Sequence, residues 1–396
     1  MFRIVKYLGY ILFLPIWWIQ IFFPRNKKIW VFGAWYGKRF SDNSKYLYLY
    51  ILKNHPEIKV IWLTRDMAVY DKAKIYTPKN VFMTNSIRGI YYSLQAKNII
   101  VSSGKRDVNY LFTNGANCIQ LWHGNPMKKI GMDDKFSNVN SFFQQVIVPK
   151  LFPFVCEFNY DYVVSNSSAF TDKMSTAFNI STNKVLETGC PRNDAFYNPI
   201  KDTFNEELRA KFKDCKLVYY LPTFRNHFEA KSIFTLTDYN PIELQSFLIK
   251  HNIVLVSKGH FVDNKLDLEK NNPHSRIIHL SDNQTDDINF MLKDADLLIT
   301  DYSGAYFDFL LALKPIIFAA FDLKEYLKGS REMYFNYNDV VAGPIVQNWE
   351  ELMNALKTIW TDTDYKDLII EKNNIFNKYH DSNNSKRAFE KIKTLT

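Results

Sequence analysis

The chain has 396 residues, 47% of them hydrophobic and 16% aromatic, enough for two domains with substantial cores and incompatible with a disordered chain. Its formal charge of +9, from 50 Lys and Arg against 41 Asp and Glu, suits anionic partners: a membrane surface, nucleotide phosphates or a phosphate polymer. The four cysteines, Cys118, Cys156, Cys190 and Cys215, are widely spaced with no CxxC pair, which argues against a disulfide framework or structural zinc and for a reducing compartment.

Residues 7 to 23, "YLGYILFLPIWWIQIFF", carry no charge and are flanked by Arg3 and Lys6 before and by Arg25, Lys27 and Lys28 after. As a helix this run would reach roughly 26 Å, short of a hydrocarbon core of about 30 Å, and Pro15 interrupts it. The aromatic-rich end lacks a small-residue cleavage site, so a signal peptide fits less well. Spanning is marginal at that length; basic flanks around Trp17 and Trp18 favour residues 1–28 as a membrane-associating segment lying in or dipping into the cytoplasmic leaflet, with a buried element of the first domain as the other alternative.

Beyond it, short β-branched or aromatic runs alternate with longer polar segments such as 43–55 and 85–96. "KKIWVFGAW" (27–35), "KVIWLT" (59–64), "KNIIVSS" (97–103), "CIQLWHG" (118–124) and "YDYVVSN" (160–166) form one set. "KLVYYLPTF" (216–224), "NIVLVSKGH" (252–260), "SRIIHLS" (275–281), "ADLLITDYSG" (295–304) and "KPIIFAAFD" (314–322) form another. This rhythm predicts an α/β chain of two doubly wound, Rossmann-like domains facing across a cleft. The polar stretch 197–216 separates the sets, giving domains over 29–205 and 206–365, with terminal helices over 366–396.

Polar clusters fall just beyond the apolar runs. His123 and Gly124 follow "CIQLW"; a neutral imidazole there can take a hydroxyl proton, with Lys128 and Lys129 holding an anionic acceptor. Asp301, Tyr302, Ser303 and Gly304 follow "LLIT" and precede an apolar helix, where backbone N–H groups and the Ser303 hydroxyl offer a cradle for phosphate oxygens, or where Asp301 caps the helix. Lys258 and His260 follow "VLVS" and alternate onto one face of an extended chain. Arg192 and Asp194 follow "GCP", and Thr223 and Arg225 follow "YLP". Together these clusters suit an anionic, diphosphate-containing substrate, while each alone also fits a solvated loop or a cap.

Seven ordered stretches resemble the CDP-glycerol glycerophosphotransferase family, which includes teichoic acid primases, polymerases and related capsule enzymes. They are "QLWHGNPMKKIG", "VVSNSSAFTDKMSTAF", "VLETGCPRNDAFY", "YYLPTFR", "VSKGH", "DINFMLKDADLLITDYSGAYFDFLLALKPIIFAAFDLKEY" and "REMYFNYNDVVAGPI". The resemblance implies a glycosyltransferase B type fold, with a CDP-activated polyol phosphate held mainly by the second domain. Glycerol phosphate, or a related unit such as ribitol phosphate, passes to a hydroxyl of a membrane-linked saccharide or polyol-phosphate acceptor, and CMP leaves. It implies work at the cytoplasmic face of a bacterial membrane in teichoic acid or capsule synthesis.

By the same resemblance His123 is the base and His260 the second essential histidine, beside the diphosphate. Lys258, Asp301, Ser303, Gly304, Arg225 and Arg331 fall on the donor side; Lys128, Lys129, Arg192 and Asp194 fall on the acceptor side or in the cleft. Asn125 stands where the family usually has Thr, Phe261 where Pro is common, Gly304 where a second Ser is common, Glu332 where Gly is usual and Ala342 where Pro is frequent. No compact carboxylate cluster demands a metal, so no cofactor is assigned and Mg²⁺ stays open, as does oligomerisation. Dispersed basic residues without a recognition motif argue against nucleic acid. A nucleotide-sugar transferase of the same fold is the alternative enzyme, and a noncatalytic scaffold would not need both histidines.

Overall fold

The two sets of apolar runs form two separate parallel sheets. The computed structural model describes residues 2–135, 147–156, 158–223, 232–258, 274–280, 287–329 and 332–395. The first sheet contains β1 (Asn26–Phe32), β2 (Lys59–Thr64), β3 (Val81–Met83), β4 (Ala96–Val101), β5 (Asn117–Gln120), β6 (Tyr162–Ser165) and β7 (Val185–Glu187), in the order β3-β2-β1-β4-β5-β6-β7. The second contains β8 (Lys216–Leu221), β9 (Ile253–Ser257), β10 (Ile277–His279), β11 (Leu297–Thr300), β12 (Ile316–Ala319) and β13 (Ile345–Val346), in the order β10-β9-β8-β11-β12-β13. Both therefore start at an inner strand, wind outward one way, then jump back and wind the other way.

The central strands are apolar on both faces because helices cover both, and so their sequences read as continuous runs instead of alternating ones. In the first unit Trp30, Phe32, Phe40, Tyr48 and Trp62 fill the core, with the Phe40 and Trp62 rings meeting edge to face at 4.5 Å. In the second, Val218, Ile299 and Ile317 pack against Trp349 and Leu352 of helix Trp349–Thr358.

The units are not consecutive in sequence. One comprises Met1–His123, Ile130–Asp194 and Asn383–Thr396; the other comprises Gly124–Lys129 and Ala195–Ser382. Three differences from the expected boundaries follow. The dividing stretch 197–216 holds helix Thr203–Lys211, whose Asn205 bonds the Met291 carbonyl, so this stretch belongs to the second unit. The expected terminal segment splits: helix Thr363–Phe376 stays with the second unit, while helix Asn384–Thr394 returns to the first, stacking Phe389 on His55 at 3.8 Å and against Trp30 at 5.4 Å. The run Gly124–Lys129, expected in the first domain, joins the second.

Residues Phe2–Ile19 form a helix with Pro15 inside, followed by a turn over Gln20–Phe22. Tyr10, Phe13, Leu14 and Trp17, spaced as one helical stripe, pack on Val148, Phe152 and Phe154. Gln20 donates to the Leu111 carbonyl at 2.9 Å, Asn114 donates to the Trp17 carbonyl at 2.8 Å, and Arg25 donates to the Ser93 and Asn114 carbonyls. Burial lowers the Arg25 pKa to about 10. The opposite stripe, Leu8, Ile11, Leu12, Ile16 and Ile19, is exposed, as are Ile21 and Phe22. Among the described residues no helix is long and apolar enough to cross a membrane.

Candidate functional site

In a doubly wound sheet the loops leaving the two strands at the reversal point diverge and leave a crevice at the carboxyl edge. In the first unit that point lies between β1 and β4. Asp107, fully buried, bridges the two loops: Oδ2 accepts from the Ser102 and Ser103 N–H groups at 2.9 and 2.8 Å, and Oδ1 accepts from the Tyr36 N–H at 2.6 Å. Burial pushes the Asp107 carboxyl above its ordinary range and the N–H donors pull it back down. A Cβ on Gly33 would lie 2.2 Å from the Asp107 carbonyl oxygen, so only glycine allows this close approach.

His123 lies on the neighbouring loop, three residues past the end of β5. Its Nδ1 is 3.0 Å from the Ser102 carbonyl oxygen. A carbonyl only accepts, so Nδ1 carries the proton and Nε2 is the basic nitrogen of the neutral ring. The imidazole meets two indoles, Trp122 at 4.0 Å and Trp35 at 5.0 Å.

The surroundings of His123 come from Arg192, which the sequence singled out, and from Asp42, Asn43 and Trp35, which it did not. Arg192 Nη1 donates to the His123 carbonyl at 2.5 Å and to Asp42 Oδ1 at 2.6 Å. Asp42 Oδ2 accepts from Trp35 Nε1 at 2.6 Å. Asn43 donates to the Leu121 and Trp122 carbonyls at 3.2 and 2.8 Å and accepts from the Arg192 N–H at 2.9 Å. Of the nine non-glycine residues with left-handed φ among the described residues, Trp35, Tyr36, Asp42 and Trp122 lie here. Such conformations cost about 1 kcal/mol or more each and persist only where neighbours enforce them. The signal available beforehand was "SDN" ahead of a helical pattern, which reads as an ordinary helix start.

Asp194, two residues from Arg192, faces another way. Its carboxylate accepts from the Asn384 and Ser385 N–H groups at 2.8 and 2.9 Å, docking the start of the last helix on the first unit. Burial raises its pKa and these donors oppose the rise.

In the second unit the reversal lies between β8 and β11, and there too a carboxylate bridges the loops. Asp301, 1% exposed, accepts from the Thr223 N–H at 2.7 Å and from its neighbour Tyr302 at 2.5 Å. The Tyr337 hydroxyl donates to the Asp301 carbonyl at 3.1 Å, and the Tyr302 hydroxyl donates to Asp322 at 3.0 Å. Ser303 Oγ accepts from the Ala305 N–H at 3.3 Å. The helix that follows runs only over Ala305–Phe309, so its dipole is smaller than the apolar run predicted. A Cβ on Gly304 would lie 2.5 Å from the Asn125 carbonyl oxygen. Two of the departures from the family pattern, Asn125 and Gly304, therefore meet.

Lys128 and Lys129, expected to hold an acceptor in the first domain, pack within the second unit. Lys128 bridges Met333 in antiparallel fashion, the Lys129 N–H donates to the Glu332 carbonyl at 2.8 Å, and the Tyr334 N–H donates to the Met127 carbonyl at 3.0 Å. The Lys129 ammonium pairs with the Glu332 carboxylate. Lys128 Nζ reaches Thr223 Oγ1 at 3.5 Å, beside the β8 loop. Lys258 is half-buried at the end of β9, its N–H bonded to the Tyr220 carbonyl at 3.1 Å. His260, Arg225 and Arg331 lie outside the described residues. Among the described residues no group of three or more His, Cys, Asp and Glu side chains is placed to hold a metal ion.

Two Rossmann-type sheets with polar loops at both reversal points define the fold of a glycosyltransferase B type transferase. Residues 16–394 match the CDP-glycerol:poly(glycerophosphate) glycerophosphotransferase family, and the chain belongs to it. It is 30% identical over 350 residues to the teichoic acid glycerol-phosphate transferase of Staphylococcus aureus, an alignment covering 84% of each chain. It is 32% identical to the teichoic acid ribitol-phosphate polymerase TarL of the same species over 71% of this chain and 48% of that one, so it spans about half the polymerase. The structure of the wall teichoic acid polymerase TagF superposes with a TM-score of 0.72 at 26% identity, covering 94% of this chain and 89% of that one. The chain is accordingly an enzyme of the polyol-phosphate transferase class.

Proposed function

We propose that this enzyme transfers glycerol phosphate from CDP-glycerol to a hydroxyl of a lipid-linked acceptor, with His123 as general base. The observation that carries the role of His123 is its Nδ1 contact with the Ser102 carbonyl, which leaves Nε2 as the proton acceptor at the carboxyl edge of the first sheet. The acceptor oxygen attacks the phosphorus bearing the glycerol and its proton passes to Nε2. The bond from that phosphorus to the oxygen of the cytidylyl phosphate breaks, and CMP leaves with the electron pair. Family membership supports a CDP-polyol donor and a membrane-linked acceptor in general, and the glycerol-phosphate transferase that aligns over 84% of both chains supports glycerol. The likeness to a ribitol-phosphate polymerase keeps CDP-ribitol as the second reading.

In this proposal Lys258, Asp301, Ser303, Gly304, Arg225, Arg331 and His260 serve the donor. Lys128 joins them because it sits beside Thr223. Asp301 acts through the backbone it holds. The enzyme works as a peripheral protein on the cytoplasmic face of the membrane, inserting the exposed stripe of helix Phe2–Ile19 next to the exposed basic residues Lys27 and Lys28.

The test incubates purified protein with CDP-glycerol, CDP-ribitol and a nucleotide sugar, each with short-chain lipid-linked acceptors, and follows CMP release and product mass. Acceptor-dependent CMP release with a product heavier by one glycerol phosphate is expected. Turnover only with the nucleotide sugar would overturn the reading.

A further inference from the structure

Nothing in the chemistry of transfer calls for a carboxylate at the start of helix Asp42–Asn54, yet Asp42 is placed where it fixes His123 from two directions. Through Oδ1 it holds the Arg192 guanidinium, whose same nitrogen donates to the His123 carbonyl, so the backbone of the histidine is tied down. Through Oδ2 it holds the indole N–H of Trp35, whose ring lies 5.0 Å from the imidazole, so the side chain is walled on that side. Both partners are short charge-assisted bonds at 2.6 Å, and the Arg192 and Asp42 side chains are each 11% exposed, which shields the pair from solvent. Asp42 and Trp35 both adopt left-handed φ, 62° and 49°. Neither is glycine, and the strain is spent where the carboxylate meets the indole.

We infer that Asp42 is the positioning residue of the base: it orients the His123 imidazole toward the acceptor hydroxyl through Arg192 and Trp35 without itself touching either substrate. The inference rests on the reading of His123 as general base. An imidazole allowed to rotate would exchange its contact with the Ser102 carbonyl and lose the tautomer that places the lone pair on Nε2.

The test is a double-mutant cycle between Asp42→Asn and His123→Ala, with single-turnover transfer, CDP-donor affinity and melting temperature measured for each protein. Asp42→Asn retains the side chain's shape and one acceptor oxygen but cannot accept from both partners. It is expected to slow transfer roughly 10- to 100-fold with donor affinity unchanged, a loss typical of a disturbed catalytic geometry. In the His123→Ala background the same change should cost less than about 3-fold, because a residue acting through His123 has nothing left to position. Trp35→Phe, which keeps a ring and deletes only the indole N–H, should show the same pattern at smaller amplitude.

A histidine-labelled sample supplies a readout independent of rate. The His123 ring nitrogens should report one tautomer in the wild type and a mixture in Asp42→Asn. Equal losses in both backgrounds, transfer by Asp42→Asn within about 3-fold of wild type, or an unchanged His123 tautomer in that variant would each overturn the inference. If CDP-glycerol supports no turnover, the substrate reading fails first and separately, and the cycle is run with whichever activated donor does.

Discussion

The reversal points of the two sheets solve one mechanical problem with the same group and then diverge. In the first, Asp107 bridges the loops after β1 and β4; in the second, Asp301 bridges those after β8 and β11. Each carboxylate is spent on backbone N–H groups that would otherwise be orphaned where a crevice must stay open. Around that common tie the first unit builds a strained cage of two indoles, an aspartate and an arginine on one imidazole. The second surrounds its tie with phenols, Tyr302, Tyr326 and Tyr337, Tyr302 stacking on Tyr326 at 4.3 Å. A buried aspartate at a strand end is thus not by itself a chemical group, and the difference between the units lies in what each tie is built to hold still.

The largest expected effect separates chemistry from support. His123→Ala should cut turnover by roughly 10² to 10⁴ with CDP-donor affinity and melting temperature nearly unchanged. A folded variant transferring at more than about a tenth of the wild-type rate would remove the base from the first unit. Asp107→Ala should instead cost about 4 kcal/mol of stability, because four N–H groups, those of Tyr36, Ser102, Ser103 and Gly104, lose their acceptor at once, and Asp301→Ala about 2 kcal/mol, because two do. Urea unfolding followed separately by probes in each unit would check both; a normal Asp301→Ala transition with lost donor binding would make that carboxylate a ligand and break the parallel.

Smaller changes sharpen the comparison at its edges. Replacing exposed Leu12 and Phe22 by Gln leaves the packed stripe of the first helix intact and should weaken binding to anionic vesicles by about a hundredfold or more, from the loss of about 1.5 kcal/mol or more of apolar insertion per side chain. Deleting residues 1–28 is the poorer experiment, since it also removes Trp17, Gln20 and Arg25 from the first unit. Ser303→Ala should lower donor affinity only several-fold, since the hydroxyl is one bond of about 1 kcal/mol among backbone donors that remain. The smallest effect is a slope. Asp107 is held above its unfolded value by burial, so the folded chain keeps that proton to higher pH; its contribution makes stability fall as pH rises from the ordinary aspartate range toward the raised value, and Asp107→Asn should flatten that portion of a stability–pH curve.

The central strands were legible because two-sided burial writes an unbroken apolar run: "KVIWLT" and β2 coincide over Lys59–Thr64. The strands that escaped notice, β3, β7 and β13, lie at sheet edges and span three residues or fewer, too short to show any period. His123 was legible because an apolar run ended before it. Asp42 and Asn43 were not, since their bonds to Arg192 and to the Leu121 and Trp122 carbonyls join residues about 80 to 150 positions apart, and Trp35 was not, since the ring it meets, His123, is equally remote in sequence. The unit in which the lysines of "MKKIG" pack was not legible for a related reason: adjacency to His123 in sequence says nothing about strand-like pairing with Glu332 and Met333, some 200 residues on.

The last helix has a consequence for the order in which the protein is made. Phe389 covers Trp30 and His55, and Asp194 waits for the N–H groups of Asn384 and Ser385, so the first unit lacks part of its own packing until nearly all of the second has left the ribosome. Translation therefore synthesises the whole second unit before the last segment of the first. A nascent chain halted near residue 380 would carry a sheet with Trp30 uncovered and an aspartate without its helix until Asn384–Thr394 is made.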